Sequence, residues 1–371
     1  MFWSLGFITL FIVAVFAIPP LIQRNSAQVV SPMTQSVAHI KEEVKDTTSF
    51  SPKNPTIEQI FRSDHSWIAT ISGQRKRVMI ATGDVIPARV VNIQATKLKN
   101  FQWPYQKVAD ILKNADITFI NLETPLIKDC PLINDGFKFC GSDKNIEGLT
   151  FSGIDVVSLA NNHAGNYGLE AINYTATLLR KNNILVTGQN GSVYKDVRGL
   201  TFAFLGYNDI GYKQKGISWA DEAKIQAEIA EARKNSGVVV VTFHWGIEYQ
   251  SQPNERQRFL GHLAVDSGAD LVIGNHPHWV QPIEIYKDKL ITYAHGNFVF
   301  DQEWSLKTKQ GVVGKYTFFD NQLVDVEFLP VQIMNYGQPY FIENLTEKQK
   351  IITEIFEESS KLSIGTKVTQ K

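Results

Sequence analysis

Gly268-Ala-Asp-Leu-Val-Ile-Gly-Asn-His-Pro-His278 is the most informative stretch of this chain. Leu271, Val272 and Ile273 form a short β-branched run of the kind that makes a strand buried on both faces. The run stops at Gly274, and Asn275, His276 and His278 come directly after it. An apolar strand that delivers imidazoles at its carboxyl end is the unit on which the rest of the sequence turns.

The same unit recurs in both directions. Apolar runs at 78–82, 117–120, 156–159, 201–205, 238–243 and 290–293 are similarly short and similar in composition. Between several of them lie segments with helical apolar spacing: 105–114, 171–182, a stretch to Lys234 opened by Asp221 as N-cap, and 256–267. Strands alternating with helices predict an α/β domain. After Asn297 the helices drop out. Strands are predicted at 314–319, 323–329 and 331–333, the first two joined by a turn at Asp320-Asn321. A C-terminal helix is expected from Thr346, with Gln349 completing a capping box and Ile351, Ile352, Ile355 and Phe356 on one face.

The residues just past each run carry the chemistry. The ends read Gly83-Asp84, Asn121-Leu-Glu123, Asn161-Asn162-His163, His244-Trp245-Gly246, Asn275-His276-Pro-His278 and His295-Gly296-Asn297. Five of the eight histidines lie at these ends. The carboxyl ends of strands in an open α/β sheet converge on one crevice, so residues remote in sequence meet there. Imidazole, carboxylate and amide oxygen together suit Mn, Fe(II) or Zn, and there are donors enough for two ions.

Composition narrows the class. Lys plus Arg is 37 and Asp plus Glu is 37, which excludes the basic excess of a general nucleic-acid binder. Two cysteines exclude a thiolate zinc module. No charge occurs between Phe2 and Gln23, and Pro19-Pro20 ends any helix there. Residues 1–23 therefore read as an uncleaved membrane anchor or a cleaved signal peptide, and either places the remainder outside the cytoplasm. Residues 24–70 read as a polar spacer, 71–345 as the folded domain, and 346–371 as a C-terminal helix and tail. In an oxidising compartment Cys130 and Cys140 could pair and staple the loop between them.

These motifs together resemble the CapA-like family of capsule and poly-gamma-glutamate synthesis proteins, which is similar to the calcineurin-like metallophosphoesterases. The carriers are Gly83-Asp84-Val-Ile-Pro-Ala-Arg89, Asn121-Leu-Glu123, Ser158-Leu-Ala-Asn-Asn-His163, His244-Trp-Gly246, the 268–278 stretch and Gly296-Asn-Phe-Val-Phe300. The resemblance implies a four-layer α/β/β/α sandwich of two packed sheets. It implies one or two divalent ions held by Asp84, Glu123, Asn162, His244, His276 and His278, with Glu123 bridging. His163 would be the general acid, and Arg89, Asn161, Trp245 and Asn297 would bind substrate. Ile86 stands where metallophosphoesterases usually carry a histidine ligand. The function implied is a metal-dependent hydrolase or transferase acting on an anionic polymer or a phosphoester. The alternative is a non-catalytic component that binds polymer or synthase subunits in a membrane export assembly.

Overall fold

The computed structural model describes residues 52–369, with side chains as far as Leu362. The expected anchor at 1–23, and the spacer as far as residue 51, lie outside the described residues.

In chain order the strands are β1 (Lys76–Val85), β2 (Ile117–Leu122), β3 (Leu126–Ile127), β4 (Gly141–Ser142), β5 (Val156–Ser158), β6 (Leu185–Thr187), β7 (Val193–Val197) and β8 (Leu200–Asn208). Then come β9 (Val238–His244), β10 (Leu271–Asn275), β11 (Ile283–Tyr286), β12 (Lys289–Thr292), β13 (Asn297–Val299), β14 (Gln310–Phe319), β15 (Gln322–Met334) and β16 (Gln338–Phe341). They form two large sheets. The first runs β16-β15-β14-β1-β2-β5-β6, with β13 added beside the end of β1. The second runs β11-β12-β10-β9-β8-β7. The strands around β2 and around β9 pair in parallel, so their carboxyl ends share one rim.

Side-chain alternation sorts each strand into two layers. Met79, Ala81, Phe119 and Val156 of the first sheet pack against Phe202, Phe204, Val240, Leu271 and Ile273 of the second. Ile80, Ile120 and Val157 point the other way, onto Leu112, Leu149, Ile172, Ala176 and Leu179 of the covering helices. Ala203, Leu205, Val239, Val241 and Val272 face Ile225, Ile229, Leu260 and Ala264 on the opposite outer side. The result is helix, sheet, sheet, helix, as the motifs imply. Asp221 accepts from the Lys224 N–H, as expected of an N-cap, and Asn254 forms a capping box with Gln257.

Several details differ. Of the expected 24–70 spacer, the part from Thr56 packs on the domain. Ile60 is buried, Phe61 lies 5.9 Å from Phe328 and 5.5 Å from Phe356, and Arg62 and His65 both reach Asp325. The polar composition of this segment hides its few anchoring side chains. The C-terminal helix spans Leu345–Thr369, and its first-turn acceptor is Asn344, which takes the Glu347 N–H, rather than Thr346. Val331 and Ile333 extend β15 through Pro330 instead of starting a new strand, because the Pro330 carbonyl still accepts from Ile342. Helical structure in 105–114 is limited to Ala109–Lys113. Strands β6 and β11 are three and four residues long and too short to stand out in the sequence, and β7 is too polar.

Candidate metal centre

Each expected ligand lies at the end of a strand or just past it. Asp84 is near the end of β1, in register with Asn121 on β2 and Asn297 on β13. Glu123 comes directly after β2, and its N–H donates to Val85 O at 3.0 Å. His244 closes β9 between Asn208 and Asn275. His276 and His278 lie just past β10 with φ of 97° and 58°. Two non-glycine residues in the left-handed region within three positions mark strain that the surrounding structure must sustain, and such strain gathers at functional sites. Gly274 makes the approach feasible. A Cβ there would sit 2.0 Å from Tyr293 O, where the Trp245 indole N–H now donates at 2.8 Å.

The side chains converge on two overlapping sets. Asp84, Glu123 and His278 place ligand atoms within 4.8 Å of one another, and so do Glu123, His244 and His276. Glu123 belongs to both, as a bridging carboxylate must. Asn162 Oδ1 is 2.8 Å from His244 Nε2 and joins the second set. Asn121 ties the two together: its amide donates to Asp84 at 2.9 Å and lies 3.3 Å from His244 Nδ1. One set draws its donors from both sheets, and so does the other.

The electrostatics are those of a cation site. Glu123 is fully buried and its carboxylate oxygens make no hydrogen bond, although His244 Nε2 lies 3.2 Å from Oε1; His276 Nδ1 is likewise without a hydrogen-bond partner. Burial, then the Asp84 charge, pushes Glu123 well above the usual carboxylate range. Burial lowers His244 to about 3, and burial with the neighbouring histidines holds His276 well below its ordinary value. Burial also works against charge on His278, but the Asp84 hydrogen bond and the Glu123 charge outweigh it and raise it to about 9. Asp84 and Glu123 are buried acids, and of the three imidazoles beside them only His278 favours its charged form, so a further positive charge would stabilise the cluster. A divalent cation fits this donor set.

His163 sits beside the centre. Its Nδ1 is 2.9 Å from Asn166 Oδ1, and its ring stacks on Phe139 at 4.2 Å. The same Asn166 oxygen accepts the Phe139 N–H at 2.7 Å. Phe139 is held in turn by Cys140, which forms a disulfide with Cys130. Burial lowers His163 to about 4.

Four residues expected to bind substrate do other work. Trp245 is fully buried, stacked on Phe243 at 4.6 Å. Asn161 is fully buried; it donates to Asn121 and Leu122 O and accepts from the His163 and Ala164 N–H groups. Asn297 faces His278 Nδ1 at 2.8 Å and fixes that ring. Arg89, at φ 47°, is bound to the buried carboxylate of Asp301 and lies over Phe139 and Phe300. Polar residues beside a site read the same in sequence whether they touch substrate or brace a ligand. His295 leaves the group, bonded to the Tyr316 hydroxyl at 2.9 Å in the core. Ile86 is buried with Ala88, Phe139 and Phe300, so this position adds packing and no donor. Sequence reading missed Glu248, whose carboxylate forms a third close group with His276 and His278. Its position four residues after His244, in a loop beyond a ligand-bearing strand, was the available signal. Tyr249 and Trp279 were missed too; the Tyr249 ring lies 6.2 Å from His278 and from Trp279, and 5.9 Å from the exposed Trp304.

Two packed sheets with helices on their outer faces, and acidic and histidine side chains gathered at the rim they share, make an α/β sandwich with a candidate metal centre. Within that class the chain belongs to a family described as bacterial capsule synthesis protein PGA_cap, whose profile matches residues 78–302. The "PGA biosynthesis protein CapA" of Bacillus subtilis is 32% identical over 75% of this chain and 77% of its own length. The "Capsule biosynthesis protein CapA" of Bacillus anthracis is 29% identical over 80% of this chain and 77% of its own. Among solved structures, one titled as a novel phosphatase from Mycoplasma pneumoniae aligns with a TM-score of 0.46 and 14% identity, over 71% of this chain and 95% of that one.

Proposed function

We propose that this protein is an extracytoplasmic, metal-dependent hydrolase or transferase of capsule biosynthesis, acting on an anionic polymer such as poly-gamma-glutamate or on a phosphoester. The observation that carries the reading is the buried ligand atoms at Glu123 and His276 that no hydrogen bond satisfies. One or two ions such as Mn, Fe or Zn held by Asp84, Glu123, Asn162, His244, His276 and His278 would supply an activated water and a Lewis acid. The chain's own residues do the rest. Asn166 accepts from His163 Nδ1, which fixes the tautomer and leaves Nε2 as the atom that exchanges a proton. Because burial keeps the imidazole neutral, His163 takes up a proton before it delivers one to the leaving oxygen or nitrogen. Tyr249, Trp279 and Trp304 offer an aromatic wall beside His278 against which a substrate chain can lie.

The Cys130–Cys140 disulfide supports an oxidising location, in keeping with an anchor or signal peptide at 1–23. Among the described residues no helix is long and apolar enough to cross a membrane. Apolar packing at Ile86, where a further ligand would strengthen the centre, favours the second reading: a non-catalytic component that binds the polymer or its synthase.

Elemental analysis of the purified full-length chain, wild type and His276→Ala, tests the proposal. One or two equivalents of Mn, Fe or Zn in wild type, reduced in the variant, with turnover of a phosphoester or poly-gamma-glutamate, is the expected result. Metal without turnover of either substrate class would select the binding component. No metal after incubation with excess Mn would overturn the metal-dependent hydrolase or transferase and leave the binding component.

A further inference from the structure

The third close group joins the other two. Glu248, His276 and His278 bring ligand atoms within 4.8 Å of one another. His276 belongs to the set with Glu123 and His244, and His278 to the set with Glu123 and Asp84. Glu248 thus shares one histidine with each of the two cation positions, the relation Glu123 has through its own membership of both. It differs from Glu123 in being only half-buried.

The loop that carries Glu248 is built to hold it there. Trp245 N–H donates to Asn275 O at 3.1 Å, and Tyr249 N–H donates to Pro277 O at 2.8 Å. Residues 245–249 are therefore laced to the 275–277 segment on both sides of Glu248. Tyr249 adopts φ 60°, and Gly246 adopts φ 87° with no room for a side chain, since a Cβ would meet the Gln257 amide at 2.6 Å. Gln302 donates to the Tyr249 hydroxyl at 3.1 Å and fixes the ring next to the carboxylate. His276, almost fully buried and with its Nδ1 free of any hydrogen bond, belongs to the same group. A strained, doubly tethered turn that aims an acid at two buried imidazoles is poor packing and good ligand geometry.

We infer that Glu248 is a further carboxylate of the metal centre, contacting both cation positions from the more open side of the site. This rests on the metal-centre reading above. It gives the centre two carboxylates common to both positions, and it offsets the donor that Ile86 does not provide. Glu248 is also the ligand most readily displaced by an incoming anionic substrate, because it alone of the carboxylates is solvent-accessible.

Titration of the metal-free full-length protein with Mn or Zn, monitored by calorimetry, separates the possibilities. Glu248→Gln keeps the shape and removes the charge. The expected result is affinity weakened about 10-fold or more, the range over which metal-site partners act, with recovery of part of the loss in Glu248→Asp. Circular dichroism and the thermal midpoint of each metal-free variant confirm that the fold is retained; Glu248→Ala serves as a second variant if the Gln form is poorly folded. Wild-type affinity and stoichiometry in a folded Glu248→Gln protein would overturn the assignment while leaving the six-ligand centre intact. No binding by wild type would overturn the centre itself and Glu248 with it.

Discussion

Glu123 shows how one residue can report on an ion. Its buried oxygens make no hydrogen bond, so in metal-free protein the group is a local liability. Glu123→Met, which removes the unsatisfied oxygens and keeps the length, is expected to raise the stability of metal-free protein by about 1–3 kcal/mol, the usual cost of an unsatisfied buried polar group. The same change should lower the midpoint of the Mn-loaded protein, and scanning calorimetry of both forms reads the reversal. A variant equally stable relative to wild type with and without Mn would mean that Glu123 meets no cation. Arg89 makes a different statement. It is paired with Asp301 under two aromatic rings, so Asp301→Ala strands a buried guanidinium. A loss of about 3–5 kcal/mol in urea-denaturation stability is expected, as for other buried pairs broken on one side. At this scale the sequence pointed to the donor residues that the fold gathers at the strand ends. It assigned Trp245, Asn161 and Asn297 to substrate because type and proximity to a motif cannot distinguish a donor facing a cleft from one facing a backbone carbonyl.

Elements decide what those residues can reach. The loop 130–140, closed by its disulfide, carries Phe139 onto the His163 ring, and Arg89 also bonds to Gly136 O within it. Closing a loop of this length removes about 2.5–3 kcal/mol of unfolded-chain entropy. Reduction with dithiothreitol should therefore lower stability by about that much. It should also shift the His163 ring resonances, since the stacked Phe139 loses its tether, and two-dimensional NMR of the imidazole signals checks this. Unchanged His163 shifts on complete reduction would show that Asn166 alone places the ring. The strands at 78–82, 117–120, 238–243 and 271–273 were legible because a parallel strand is buried on both faces and is written as an unbroken apolar run. Strand β7 was not, because its residues alternate between half-buried and exposed at a sheet edge. The lead-in helix Ile57–Ile60 was not, because a four-residue helix has no period to read.

The whole molecule matters because the centre is split between the sheets. Asp84, Glu123 and Asn162 sit at strand ends of the first sheet; His244, His276 and His278 sit at strand ends of the second. The distance between the halves is set by the core between the sheets, where Phe119 stacks on Phe204 with centroids 6.1 Å apart. Phe204→Ala is expected to cost about 3–5 kcal/mol of stability, the range for an emptied aromatic core site. It should also weaken Mn affinity without touching any ligand, which calorimetry on the folded variant reads. Unaltered affinity in a destabilised variant would mean that the rim holds its geometry independently of the sheet packing.

Residue order alone was enough for the α/β class, the succession of the strands that matter, and the donors at their carboxyl ends. These rest on local facts: apolar periodicity and the residue that stops each run. It took the folded chain to make Glu123 common to two donor sets, to bind Arg89 to Asp301, and to bring Glu248 to the histidines while drawing His295 away. Those outcomes depend on which strand ends lie side by side and on backbone turns at positive φ, and both are set by the packing of two sheets against each other.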